Sequence, residues 1–244
     1  MRMRSARHAA PVAAPVEGLG TALRAALREA ASVLWPVECA GCGAPDIAVC
    51  PACAGLLLAG AERELLDGVP LVAAARYEGA VRALVGACKE RGDRATARAL
   101  GAGLALAIAA APAGQLVRVP SSREGLRRRG FDPVELVLRG AGMRAVPLRR
   151  VASRAPPGTQ KERSADERAL AAHGSLELGR RHTARLAGTA AVLVDDVVTS
   201  GATVREGVRA LRAAGCEPVA IVAVARTPRR LPARPAHART SGVW

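Results

Sequence analysis

Apolar positions along this chain follow two rhythms, and the change from one to the other predicts its elements. Residues 17–34, EGLGTALRAALREAASVL, carry Leu19, Leu23, Leu27, Ala30 and Leu34 on one helical face. Trp35-Pro36 closes that helix. Residues 69–77, VPLVAAARY, are predicted as a strand and one arm of a hairpin. Two helices follow over 80–90 and 94–111, with Arg91-Gly92-Asp93 as the break between them.

From residue 115 strands and helices alternate. QLVRVP (115–120) is a strand, and SSREGLRRRG (121–130) is expected as a loop, too rich in Arg and Gly for a core element. DPVELVLRGAG (132–142) is a helix with Pro133 near its start, where proline is tolerated. RAVPL (144–148) is a short strand, 150–160 a loop and 164–172 a further helical stretch. TAAVLV (189–194) is a strong strand, 203–214 a helix with Val204, Val208 and Leu211 on one face, and PVAIVAVA (218–225) a last buried strand. Gly215 stands where a helix commonly ends on glycine. This alternation predicts an α/β fold with a parallel sheet flanked by helices.

Half of the 244 residues are hydrophobic, enough for a sizeable core, although alanine supplies much of it. Only Trp35, Tyr77, Phe131 and Trp244 are aromatic, fewer than proteins that bind single strands by base stacking usually carry. The most apolar stretch, 99–111, is short of the roughly 20 residues that span a bilayer, so no membrane insertion is expected. The basic start of the chain has no continuous apolar run of the secretory kind, and a cytoplasmic protein is expected behind it.

The net charge of +15 is concentrated in three segments. Residues 1–8 hold three Arg and no acid, and residues 226–240 hold five Arg and no acid. Both ends are expected to be solvated tails. Residues 118–154 hold ten Arg against three acids, inside the predicted domain. That block suits phosphates, of a small molecule or of nucleic acid, or else an Arg-rich solvated surface.

Cys39, Cys42, Cys50 and Cys53 form two C-x2-C pairs separated by seven residues. Four thiolates can hold one tetrahedral Zn²⁺, and four protein ligands leave no open position, so the expected ion is structural. Two disulfides or a redox pair are the alternatives, and a cytoplasmic setting disfavours disulfides. Cys88 and Cys216 are expected as small core residues.

In VLVDDVVTSGATV (192–204) a buried strand ends on Asp195-Asp196 and runs through a Gly-containing loop into a helix. Ligands of open α/β sheets bind outside the carboxyl ends of the strands. Loop N–H groups and the positive helix end cradle phosphate, and Thr199, Ser200 and Thr203 add hydroxyl donors. Carboxylates suit sugar hydroxyls or a metal instead. Acids beside a cradle therefore indicate a phosphorylated sugar. No Gly-Lys-Ser/Thr is present, so this is not a Walker loop.

This stretch resembles the PRPP-binding motif of type I phosphoribosyltransferases. The chain is also similar, over roughly residues 30–226, to the ComF family of competence-associated phosphoribosyltransferase-like proteins. LWPVECAGCG, YEGAVRALVGACKERGD, RVP with RRRGFD, TQKERSADER and VLVDDVVTSGAT carry that resemblance. It implies a type I phosphoribosyltransferase-like sheet with a small N-terminal four-Cys zinc module. The segments would be a disordered leader (1–16), a helix and zinc module (17–58), a phosphoribosyltransferase-like domain (59–227) and a basic Pro-rich tail (228–244).

On the resemblance, Asp195 and Asp196 contact the ribose hydroxyls of PRPP, partly through Mg²⁺. Thr199, Ser200, Gly201, Ala202 and Thr203 hold the 5′-phosphate, and Val197 also belongs to the PRPP-binding residues. Ser121, Ser122 and Arg123 lie near the pyrophosphate, and Arg129-Gly130-Phe131 belong to a mobile loop over the site. Lys89, Gln160 and Arg168 match polar positions of the family, and Arg123 with Lys89 supplies charge for the departing pyrophosphate. Where the family usually shows VPVP and RGFNQ, this chain has VRVP (117–120) and RGFDP (129–133). A negative Asp132 would be unfavourable in a loop closing on pyrophosphate. The resemblance implies an enzyme transferring phosphoribose from PRPP to a nitrogen acceptor. The alternatives are a DNA-uptake accessory binding single-stranded DNA or a helicase-like partner, and a PRPP-sensing regulator without turnover.

Overall fold

The computed structural model describes residues 37–151 and 174–228. The expected helices over 17–34 and 164–172, the N-terminal tail, the C-terminal tail from residue 229, Gln160 and Arg168 lie outside the described residues, while Arg226, expected to open that tail, instead ends the last strand and pairs with Glu64. The elements are α1 (Pro51–Leu58), β1 (Glu62–Leu66), β2 (Val69–Arg76), α2 (Gly79–Arg91), α3 (Arg94–Ala109), β3 (Gln115–Arg118), α4 (Arg123–Arg129), α5 (Pro133–Gly140), β4 (Val146–Arg150), β5 (Leu176–Leu178), α6 (Arg180–Leu186), β6 (Ala190–Val198), α7 (Ala202–Ala213) and β7 (Glu217–Arg226).

The seven strands form one sheet in the order β1-β2-β7-β6-β3-β4-β5. The five inner strands are parallel. An antiparallel strand closes each side, β1 on β2 and β5 on β4. The expected hairpin is therefore present, and its first arm is Glu62–Leu66. Asp67 and Gly68 both take positive φ at its tip, 50° and 81°, which suits the right-handed twist of a two-residue connection.

Strand alternation divides the core into two layers. Val192 and Val194 of β6 face α2, α3 and α5, where Leu84, Leu100, Val137 and Leu138 are buried. Ala191 and Leu193 face α7, where Val204, Val208 and Leu211 close the other layer. Cys39, Cys53 and Leu57 belong to the first layer, so the cysteine segment shares its core with the sheet. Glu206 of α7, buried and charged, accepts from the Leu176 N–H at 2.9 Å and from Arg209, whose guanidinium donates to the Leu176 carbonyl. That pair ties the short edge strand β5 to α7.

One expectation is corrected. Residues 121–130 are not a loop throughout, because Arg123–Arg129 form the helix α4. Ser122 caps it, accepting from the Gly125 N–H at 3.0 Å, and Gly130 ends it with a left-handed φ of 74°. Arginine is a good helix former, and exposure of Arg123, Arg127 and Arg128 lets an Arg-rich turn lie on the surface. Among the described residues no helix is long and apolar enough to cross a membrane.

Candidate functional site

Connections leave β3 and β6 in opposite directions. From β3 the chain passes through α4 and α5 to β4 on one side, and from β6 through α7 to β7 on the other. The crevice beyond the carboxyl ends of β3 and β6 is thus a topological switch point, where open α/β sheets bind their ligands. The two strands are bonded there, with the Val119 N–H donating to the Val194 carbonyl at 2.9 Å. This register brings Pro120 and Ser121 beside Asp195 and Asp196.

The two acids are consecutive in β6, so alternation sends their side chains to opposite faces. Asp196 meets Lys89 of α2, with Nζ 3.0 Å from Oδ1. Asp195 is buried, 8% exposed, and its Oδ1 accepts from the Asp196 N–H at 2.9 Å. Burial, and then the neighbouring charge of Asp196, push the Asp195 carboxyl up to about 8. The Asp196 N–H, Lys89 and Arg150 pull the other way without overcoming burial.

Beyond the acids, Gly201 turns the chain into α7 with a φ of 81°, a conformation that strains other residues. Asp195 and Val197–Val204 line a small hollow at this helix end. Arg205 of α7 donates to the Ser200 carbonyl at 2.8 Å and pairs with Asp67 at the hairpin tip at 2.6 Å. The loop is thereby braced from outside. A cavity of about 720 Å³, lined by Arg118, Glu135, Arg139, Met143 and Pro147 among others, includes neither the acids nor this loop.

On the β3 side, Ser121 is held at three atoms. Its N–H donates to Asp132 Oδ2 at 3.1 Å, its carbonyl accepts from Arg150 Nε at 3.0 Å, and Arg129 reaches its Oγ at 3.5 Å. Arg150 also donates to the Pro120 carbonyl at 3.2 Å. Burial lowers the Arg150 guanidinium from its ordinary value, and Asp195 and Asp132 oppose that shift.

Asp132, expected to be unfavourable in a loop closing on pyrophosphate, is paired with Arg118. Arg118 Nη1 lies 2.7 Å from Asp132 Oδ2, and both side chains are nearly buried. Arg118 and Asp132 are two of the residues that depart from the resembled pattern, and their charges balance each other. Asp132 also caps α5, its Oδ1 accepting from the Val134 and Glu135 N–H groups at 3.0 and 3.3 Å.

Residues 129–131, expected in a mobile loop over the site, continue directly from α4. Arg129 is the last residue of α4, Gly130 its cap, and Phe131 packs at the α2–α3 break. A Cβ on Gly92 would meet the Phe131 ring at 2.9 Å.

The structure thus gathers Asp195, Asp196, Lys89, Ser121 and the loop 197–203 around one crevice, with Ser122 and Arg123 opening α4 beside it. Arg150 escaped sequence reasoning, since nothing in LRRV marks which arginine turns inward. Arg118 and Asp132 were legible only as departures, because their pairing spans a helix and a loop.

The second candidate centre is the cysteine cluster. The sulfurs of Cys39, Cys42, Cys50 and Cys53 all lie within 4.8 Å of one another, and Cys42 and Cys50 are 3.6 Å apart. A tetrahedral ion with metal–sulfur bonds of about 2.3 Å needs sulfurs roughly 3.8 Å apart, so the cluster fits one metal. The Cys50 N–H donates to the Cys39 sulfur at 3.3 Å and the Cys53 N–H to the Cys50 sulfur at 3.4 Å, bonds that favour thiolates. The Cys50 N–H brings the Cys39 thiol down to about 6 against the effect of burial, while burial and the neighbouring sulfurs push the Cys53 thiol up. A Cβ on Gly41 would stand 2.7 Å from the Cys53 sulfur, so that turn needs glycine. All four cysteines are free of disulfides.

Residues 125–241 match the phosphoribosyl transferase domain family. The similarity to that family covers just under half of the chain. The match runs from within α4 past the end of β7 and takes in Asp195, Asp196 and the loop before α7. Similar solved structures include adenine phosphoribosyltransferases from Leishmania donovani and Leishmania tarentolae. The first is 16% identical with a TM-score of 0.36, covering 72% of this chain and 68% of that one. The second is 14% identical with a TM-score of 0.33, covering 72% of this chain and 87% of the other. A comparison with curated proteins found no match.

Proposed function

We propose that this phosphoribosyltransferase-like protein binds PRPP in the β3–β6 crevice and transfers its phosphoribosyl group to a nitrogen nucleophile. The observation that carries the reading is the direct succession, on the central strand and the helix after it, of two carboxylates and a loop that lines a hollow at the helix end. Val197–Thr203 would bind the 5′-phosphate through backbone N–H groups, the hydroxyls of Thr199, Ser200 and Thr203, and the positive end of α7. Asp195 and Asp196 would orient the ribose by accepting from its hydroxyls. Their oxygen donors also suit Mg²⁺, which when bound would help neutralise the diphosphate.

The reaction breaks the bond between C1 and the diphosphate oxygen while the nucleophile's lone pair forms the new C1–N bond. Negative charge grows on the departing diphosphate, so cationic groups fixed nearby stabilise the transition state. Ser121, Ser122 and Arg123 are on the side of β3 where that charge would appear, and Lys89 stands beside Asp196. The cysteine cluster would hold a structural Zn²⁺, since all four positions of a tetrahedron are met by protein sulfur.

Titration calorimetry with PRPP and Mg²⁺ tests the reading. The wild-type protein is expected to bind, and the double variant Asp195→Asn/Asp196→Asn to bind at least about tenfold more weakly, from the loss of charged hydrogen bonds. Absence of binding by the wild type, or equal binding by the variant, would overturn it.

A further inference from the structure

Pro120 and Ser121 are gripped from both faces of the sheet. Val117 and Leu148 are buried in the α7-facing layer, so Arg118, one residue on from Val117, turns to the α5 face and Arg150, two on from Leu148, to the α7 face. From the α5 face, Asp132 accepts the Ser121 N–H and is itself held by Arg118. From the α7 face, Arg150 donates to the carbonyls of Pro120 and Ser121. The peptide leaving β3 thus has its N–H on an anion and its carbonyls on a cation. Hydrogen bonds to charged groups are stronger than neutral ones, and these are largely sheltered from water.

We propose that Asp132 is a positioning residue. Through this clamp, Asp132 with Arg118 and Arg150 fixes the turn Ser121–Arg123 so that it meets the diphosphate of the substrate. The proposal rests on the reading of the crevice as a PRPP site and adds a specific claim: the clamp serves the diphosphate and not the 5′-phosphate, whose loop before α7 it does not touch. It also explains the joint presence of Arg118 and Asp132. A neutral residue at either position would leave a nearly buried charge with less to balance it.

The test compares two probes on one protein, PRPP with Mg²⁺ and ribose 5-phosphate, which lacks the diphosphate. Asp132→Asn is the informative variant. Asparagine caps a helix about as well as aspartate, so α5 keeps its cap. One acceptor oxygen becomes an amide that cannot accept from Ser121 or Arg118. Calorimetry should show PRPP affinity falling about tenfold, and ribose 5-phosphate affinity changing less than about twofold. Arg150→Met should show the same selectivity. Arg118 keeps its second partner, Glu135 at 3.0 Å, in Asp132→Asn, so that variant strands no cation.

Equal losses for both probes would make Asp132 a general structural residue and overturn the proposal. So would unchanged PRPP binding by both single variants. A wild-type protein that binds neither probe overturns the reading of the crevice, and the clamp's assigned role falls with it. Wild-type binding without selectivity in the variants overturns the clamp alone. Thermal melts of each variant, expected within a few degrees of wild type, show that the fold persists.

Discussion

Asp195 is held in a state that the apo protein would not choose for stability. Its folded carboxyl titrates near 8, far above the roughly 3.9 of an unfolded chain. Between those values the native state binds a proton that the unfolded state has released, so this group's contribution makes stability fall as pH rises from about 4 to 8. Lys89, Arg150 and the Asp196 N–H soften the effect, and the charge of Asp196 adds to it. Asp195→Asn removes the titration. It is expected to raise the melting temperature of the ligand-free protein more at pH 8 than at pH 5, measured by circular dichroism. An equal shift at both pH values would contradict the assignment.

At the scale of elements, the site depends on how closely helices approach each other and the sheet. A Cβ added to Gly140 of α5 would stand 2.3 Å from the Ala97 carbonyl oxygen of α3, and one added to Gly101 of α3 would stand 2.6 Å from the Ala141 nitrogen. Backbone meets backbone at this crossing, so neither partner can yield by rotating a side chain. Gly140→Ala is expected to destabilise the fold by about 1–3 kcal/mol, measured by urea denaturation. Because α5 carries Asp132 at its cap, the proposed binding of PRPP should weaken as well. The same crossing shows why the helices were readable and their contact was not. Apolar spacing over 94–111 and 132–142 marks two helices, but glycine in a helical pattern looks only like a weak helix former. Its role as a contact point appears once the helices are crossed.

At the scale of the whole molecule, the cysteine segment and the sheet are energetically joined. Cys39, Cys53 and Leu57 pack in the same layer as Val72, Leu84 and Leu104. Metal bound by the four sulfurs would therefore stabilise the body and not only its own turns. The purified protein is expected to contain about one zinc per chain by elemental mass spectrometry. Chelation or Cys39→Ser should lower the melting temperature of the single transition by about ten degrees or more. A separate early transition that leaves the main melt unmoved would show two independent units. The basic block of 118–154 also changes meaning at this scale. Arg118 is locked to Asp132, Arg150 to the β3 turn and Arg139 to Glu135, while Arg123, Arg127 and Arg128 are exposed. It is not one charged surface.

Alternation of strand and helix, the four-cysteine spacing and the acid pair before a Gly-containing loop are all local patterns, and each was legible because its physics acts over a few residues. The sequence by itself therefore determined the α/β class, the cysteine cluster and the crevice strand. The order of the strands, which sets β3 beside β6, comes from packing between residues far apart in the chain. So does the meeting of Arg118 with Asp132, and of Arg150 with the turn that follows β3. A charge in a sequence carries no sign of its partner, and only the tertiary structure decided which of ten arginines in one block would build the site.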